Sequence, residues 1–393
     1  MKTKLTLTCL GLLASILAGK LVLSPVFSWQ SLFSEGLPTH LKSLMLFKSE
    51  NDGKQIDEAL TQKTQIYDYL LRQEHLLDGM VVDRYADGSP ANVCDSLLFS
   101  SLRYVALEKL GHHAEALRAW KAIERSQDNA GGWFRHPTCA KQSTSRDMLV
   151  GLLVALSQKP PGYKSYLKDL LSYIKRHSGY ISHGPFHVSL LTPGLAEMIR
   201  LMALTEGYSE ESLPPIIRYG FSTLAIDTFV EKRGYTSHLN ALVLWLELEL
   251  IDPKSKWPGF ERHTVRTVFS LVSRVGSYFQ SPEITPEQRR YWIAYRLITA
   301  DPNNLFFQWL AYKTSANLGP GFTQYDLKRR LMSMPQFPNW RLPSSCERKA
   351  DYLWQRNSKE YFIKSKNCSK RFAGVDFLWM AALLTKGLAQ TAH

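Results

Sequence analysis

Four aspartates, Asp83, Asp95, Asp147 and Asp376, have the type and setting for acid–base chemistry. Cleaving a glycosidic bond takes two carboxyl groups across a sugar ring, one to protonate the leaving oxygen and one to activate water or attack. Three of the four open an apolar run: Cys94-Asp95-Ser96-Leu97-Leu98, Ser145-Arg146-Asp147-Met148-Leu149 and Val375-Asp376-Phe377-Leu378-Trp379. Asn240-Ala241-Leu242 fills the same slot with an amide. Asp83 lies with Asp87 in a turn-rich loop between Asp78-Gly79 and Asp87-Gly88. Asp147 or Asp95 is the expected general acid, and Asp376 or Asp83 the expected base. A structural role competes with this one. A carboxylate in the first turn of a helix complements the helix dipole and caps free N–H groups. Asn92-x-x-Asp95 and Ser145-Arg146-Asp147 have the look of caps, and acids in Asp-Gly loops favour turns.

Trp133 and Tyr235 are candidates for stacking on sugar faces, and Arg135, His136 and Arg146 for binding hydroxyls or an acidic sugar. Arg146, read as a buried arginine before a helix-start acid, suits bidentate recognition of a carboxylate, in a ligand or within the chain. The alternative for Trp133 is to plug the core beneath the Gly131-Gly132 turn. His187 and His238 complete the expected substrate-binding set. A second chemistry uses Tyr235 or Tyr180 with His187 or His238 to abstract a proton beside the carboxylate of an anionic glycan, as a lyase does. His183, His187, His136 and His238 do not read as a metal site, because Gly184-Pro185 interrupts any helix and no HExxH occurs. Phosphate-binding glycine loops and a GxSxG elbow are missing too, so no metal and no cofactor is expected.

These residues must be positioned by helices, for no alternating strand pattern runs through the chain. Polar helices alternate with apolar ones, the apolar ones starting near 95, 147, 187, 240, 304 and 376. Six hairpins, each with one inner helix, predict an all-α fold: an (α/α)6 toroid of helical hairpins over 54–393, a single domain. In that arrangement the loops before the inner helices gather the candidate residues, with Asn240 and Asn304, at one end. The chain resembles the six-hairpin glycosidase-like superfamily in this architecture, with Asp-Gly in the first loop, Gly-Gly-Trp in the second and aspartates near inner-helix starts. The resemblance implies a carbohydrate-active toroid, most simply a glycoside hydrolase. Gln127 to Gly131-Gly132-Trp133 is also similar to the repeat of terpenoid cyclases, but it occurs once and without that family's DxDD motif.

Met1–Ala18 has a basic start and an apolar run too short for a comfortable membrane span, so residues 1–24 read as a signal peptide or an N-terminal anchor, and 25–53 as a connector. Export to the periplasm or cell envelope follows, with membrane association through that segment if it is retained. Cys94, Cys139, Cys346 and Cys368 follow the leader, an even number suited to an oxidising compartment. Cys94–Cys139 and Cys346–Cys368 are the expected disulfides. The net charge of +13 is scattered, without a nucleic-acid motif. The expected partner is a polysaccharide or oligosaccharide, neutral or anionic, and not nucleic acid. A noncatalytic envelope protein that binds glycan or serves as a scaffold is the third reading.

Overall fold

The computed structural model describes residues 50–85, 87–91, 93–139, 144–182, 189–218, 224, 228, 235–250, 286–302, 304–314, 323–333, 370–371 and 373–389. Within them the protein is mostly helical, with a few very short strands. The predicted leader and connector, His187, Cys346 and Cys368 lie outside the described residues, apart from the connector's last four positions.

In chain order the described helices alternate in burial. They are α1 (Glu50–Glu74) and α2 (Ser96–Lys109), α3 (His113–Glu124) and α4 (Arg146–Leu156), α5 (Tyr163–Arg176) and α6 (Pro193–Thr205), α7 (Pro215–Arg218) and α8 (Tyr235–Leu250), α9 (Pro286–Ala300) and α10 (Leu305–Thr314), then α11 (Gln324–Ser333) and α12 (Val375–Ala389). The first member of a pair shows one apolar stripe. In α5 the buried positions Tyr163, Tyr166, Leu167, Leu170, Leu171 and Ile174 recur at helical spacing. The second member is buried and mainly apolar on most sides, with a few buried charged residues such as Arg103 in α2 and Glu197 in α6. Every residue of α4 from Met148 to Leu156 is buried, and α2 is buried almost throughout.

Packing follows this division. α2 packs on α3, α4 and α12 and meets α1 through the buried Arg103–Asp68 ion pair at 3.4 Å; α8 packs on α4, α6, α9 and α10; and α11 and α12 return to pack on α1. Trp379 of α12 meets Trp245 of α8 edge-on at 4.8 Å and Phe306 of α10 at 6.0 Å, so large aromatic rings fill the space among these helices. Where α2 crosses α4, a side chain at Gly151 would place its Cβ 2.5 Å from Leu98 Cα. Only glycine permits that approach.

The loop after each of α1, α3 and α5 repeats one device. Strands β1 (Leu76–Leu77) and β2 (Met80–Val81) pair in the first loop, Gln127 bridges Trp133 in the second, and Tyr180 bridges Leu190 in the third. Gly79, Gly131 and Gly179, with φ of 80°, 84° and 89°, stand at these turns and press on the first helix of the next pair, at Ala122, Asp169 and Ile216. A ribbon of three strands joins the first pair to the last: β3 (Asp83–Tyr85) lies between β4 (Pro90–Ala91) and β5 (Lys370–Arg371), with Asp83 opposite Ala91 and Arg84 opposite Arg371. The Cys94–Cys139 disulfide forms as expected, with Cα atoms 5.9 Å apart.

Gly151→Ala is expected to destabilise the fold. Alanine gains up to about 1 kcal/mol of helix propensity, but overpacking a rigid backbone contact costs about 1–3 kcal/mol, so urea denaturation should show a net loss. Replacing Cys94 and Cys139 together by serine should cost about 4 kcal/mol for a closed loop of this length, read in the same measurement.

Candidate functional site

The first turns of α2 and α4 are adjacent, because Leu98 N–H donates to Met148 Sδ at 3.4 Å and Leu98 packs on Gly151. Asp95 stands immediately before α2, after a short 3-10 turn (Val93–Asp95) that follows β4, and Asp147 is the second residue of α4. The ribbon brings in the other two acids: Asp83 on β3 lies opposite Ala91, four residues before Asp95, and Asp376 opens α12 five residues after Arg371. Chain topology therefore draws all four aspartates toward one end of α2.

Their chemical settings differ. Asp95 occupies the N-cap position of α2 but makes no side-chain cap bond; its Oδ1 instead accepts from Arg135 Nη1 at 3.0 Å, with 48% and 21% of the two side chains exposed. Ser145 likewise makes no cap bond to α4, and its hydroxyl donates to Asp147 Oδ1. At these two N-cap positions side-chain pairs form where cap bonds were expected. Asp376 is 8% exposed and accepts from Phe377 N–H at 3.1 Å, a bond within its own helix start. Asp87 accepts from Ser89 N–H at 2.9 Å and Ser89 Oγ at 2.6 Å, which turns the chain between β3 and β4.

Several expected ligand contacts are instead packing. Trp133 is 3% exposed and lies against Trp120 at 6.3 Å and Tyr166 at 5.9 Å, so its ring face is spent on the aromatic core between α3 and α5. His136 is wholly buried. Thr138 N–H donates to its Nδ1 at 3.1 Å, which leaves Nε2–H to reach the Leu77 carbonyl at 3.4 Å, and burial holds its pKa below the ordinary histidine value. It latches the second loop to the β1–β2 hairpin and presents no face to a substrate. Arg146 is exposed rather than buried, because it is the first residue of α4 and stands at the helix mouth. Tyr235 opens α8, and its side chain is outside the described set, as is His187.

His238 is 3% exposed beneath the start of α8. Asn304 caps α10 by accepting from Phe306 and Phe307 N–H at 3.1 and 3.2 Å, which turns its amide Nδ2 toward His238 Nδ1 at 3.4 Å. Nδ1 therefore accepts, and the ring carries its proton on Nε2. Burial presses its pKa down to about 3, so it stays neutral where a free histidine would charge. A substrate-binding or proton-abstracting role for His238 gives way to a structural one. Among the described residues no group of His, Cys, Asp and Glu is arranged to hold a metal ion.

The Asp95–Arg135 pair escaped the sequence reading, which assigned Arg135 to substrate. The signal was present: a Cys94–Cys139 bond carries residues 95 and 135 to the same place. The chain matches no family model and no curated protein sequence.

Two outcomes follow from these placements. Trp133→Ala should lose about 3–5 kcal/mol of stability in urea denaturation, as removal of a buried indole does. His238 adds a pH dependence. Its folded pKa lies below the unfolded value near 6.5, so the unfolded chain alone takes up that proton, and stability is full above pH 6.5 and falls as pH drops toward about 3. In His238→Gln the loss of stability between pH 6 and pH 4 should be shallower by about 1.4 kcal/mol per pH unit.

Proposed function

We propose that the chain is an exported glycoside hydrolase built as an (α/α)6 toroid, with Asp95 and Asp147 as its carboxyl pair. The observation that carries this reading is the adjacency of the first turns of α2 and α4, with Asp95 at the start of one, paired with Arg135, and Asp147 at the start of the other. The alternation of striped and wholly buried helices, and the packing of α12 on α2, support the toroid. The disulfide fits an oxidising, exported location, and no described helix is long and apolar enough to cross a membrane. The predicted leader supplies the route, as a cleaved signal or a retained anchor.

The roles divide by environment. Asp95 meets the Arg135 cation and takes the anionic part, base or nucleophile. Asp147, at the neighbouring helix start beside the Ser145 hydroxyl, takes the general-acid part. Asp376, buried and bonded at its own helix start, becomes a supporting residue, and Asp83 flanks the mouth from the ribbon. Exposed Arg146 and half-buried Arg135 give the mouth a basic character compatible with neutral or anionic glycans.

A second reading rests on the same contacts. Asp95–Arg135, Asp147–Ser145, Asp376–Phe377 and Asp87–Ser89 are all intramolecular bonds, as a noncatalytic glycan-binding scaffold would have. The leaving group separates the two. With unactivated oligosaccharides both Asp95→Asn and Asp147→Asn should lose about 10²–10⁴ in rate. With dinitrophenyl glycosides, which need no protonation to depart, Asp147→Asn should keep most of its activity and Asp95→Asn should not. A wild-type chain that binds glycan, releases no reducing ends from a panel of polysaccharides and binds equally well in both variants is the scaffold.

A further inference from the structure

Three cross-links join the start of α2 to the loop ahead of α4. The disulfide binds Cys94 to Cys139, Leu97 N–H donates to the Arg135 carbonyl at 3.0 Å, and Arg135 Nη1 meets Asp95 Oδ1 at 3.0 Å. Cys94 is the neighbour of Asp95, and Cys139 ends the turn that Arg135 enters, closed by Cys139 N–H on the His136 carbonyl at 2.9 Å. Beyond that turn, Thr144 N–H donates to the Trp133 carbonyl at 3.0 Å, just ahead of Ser145 and Asp147. The covalent bond thus lies between the two acid-bearing helix starts.

The ion pair does not hold this geometry alone. Both side chains reach water, and an exposed pair is screened by solvent and salt and loses side-chain entropy when it forms. An arginine whose backbone is already held beside Asp95 need not be brought there when the pair forms. The disulfide supplies that fixing, on both strands of chain between which the pair forms.

We propose that the Cys94–Cys139 disulfide, acting through Arg135 as a positioning residue, aims the Asp95 carboxylate, so that the mouth is competent only in the oxidised chain. The catalytic consequence rests on the hydrolase reading; the positioning does not. Reduction proceeds by exchange with an external dithiol. One thiolate attacks to give a mixed disulfide, the second resolves it, two electrons pass to the protein sulfurs, both cysteines leave as thiols and the reagent becomes a disulfide.

The experiment is a double-mutant cycle of Asp95→Asn and Arg135→Gln, read by urea denaturation in the oxidised chain and again in a Cys94→Ser/Cys139→Ser background. The expected result is a coupling between 95 and 135 in the first and none in the second, although both fold. Equal coupling in the two backgrounds overturns the proposal, because a disulfide that only stabilises the fold leaves the pair intact. Turnover of an oligosaccharide by the serine pair should fall about 10²-fold in kcat, the scale of a misaimed catalytic group, with KM little changed. Should the serine pair not fold, hydrogen exchange of residues 93–97 immediately after dithiothreitol reduction of the native chain reads the same release, and unchanged protection there sinks the idea. Coupling that depends on the disulfide in a chain without hydrolytic activity leaves the positioning standing and removes the hydrolase reading alone.

Discussion

The close approach of Leu98 in α2 to Gly151 in α4 sets the spacing of two helices that have almost no exposed surface, and much of the remaining geometry follows from it. Helices buried on every side gain from apolar contact in all directions and have no solvent face to absorb misfit. Their polar groups must therefore gather at the ends or be satisfied along the way. Ser100 illustrates the second case: it accepts from Val81 N–H and donates to the Ser96 carbonyl, both at 2.8 Å, which ties β2 to the flank of α2. The aspartates at the helix starts illustrate the first.

At the N-cap positions of α2 and α4, side-chain pairs take the place of capping bonds. Asp95 is held by an arginine from the next loop and Asp147 by the serine two residues before it. Deeper in, Asn304 and His238 form a neutral pair between α10 and α8, and His136 closes onto the first hairpin. Among these pairs polarity runs from charged and half-exposed at Asp95–Arg135 to uncharged and buried at Asn304–His238. An anion is cheapest to keep where water still reaches it, and a buried histidine is cheapest neutral.

The helices were legible because burial imposes periodicity on sequence. The stripe of α5 and the unbroken apolar run of α4 separate the two helix types, and their starts lie within a few residues of the expected positions. The contacts of single side chains were not legible in the same way. Trp133 reads equally well as a sugar platform or a core plug until the neighbouring rings of Trp120 and Tyr166 are in place, and those come from separate helices. Arg146 reads as buried, yet in α4 burial begins only at Met148, the third residue of the helix. Long-range pairs such as Asp95 with Arg135 depend on which loops meet, and periodicity carries no record of that. Cysteine spacing came closest.

The recurring bridge-and-glycine turn after α1, α3 and α5 fixes each loop where it leaves its helix. Each loop is rooted by one bridge and by a glycine set against the neighbouring helix. In the second loop the residues after the bridge hold the helices too: His136 reaches the Leu77 carbonyl and Cys139 is bonded to Cys94, so that loop is fastened at its root and again along its length.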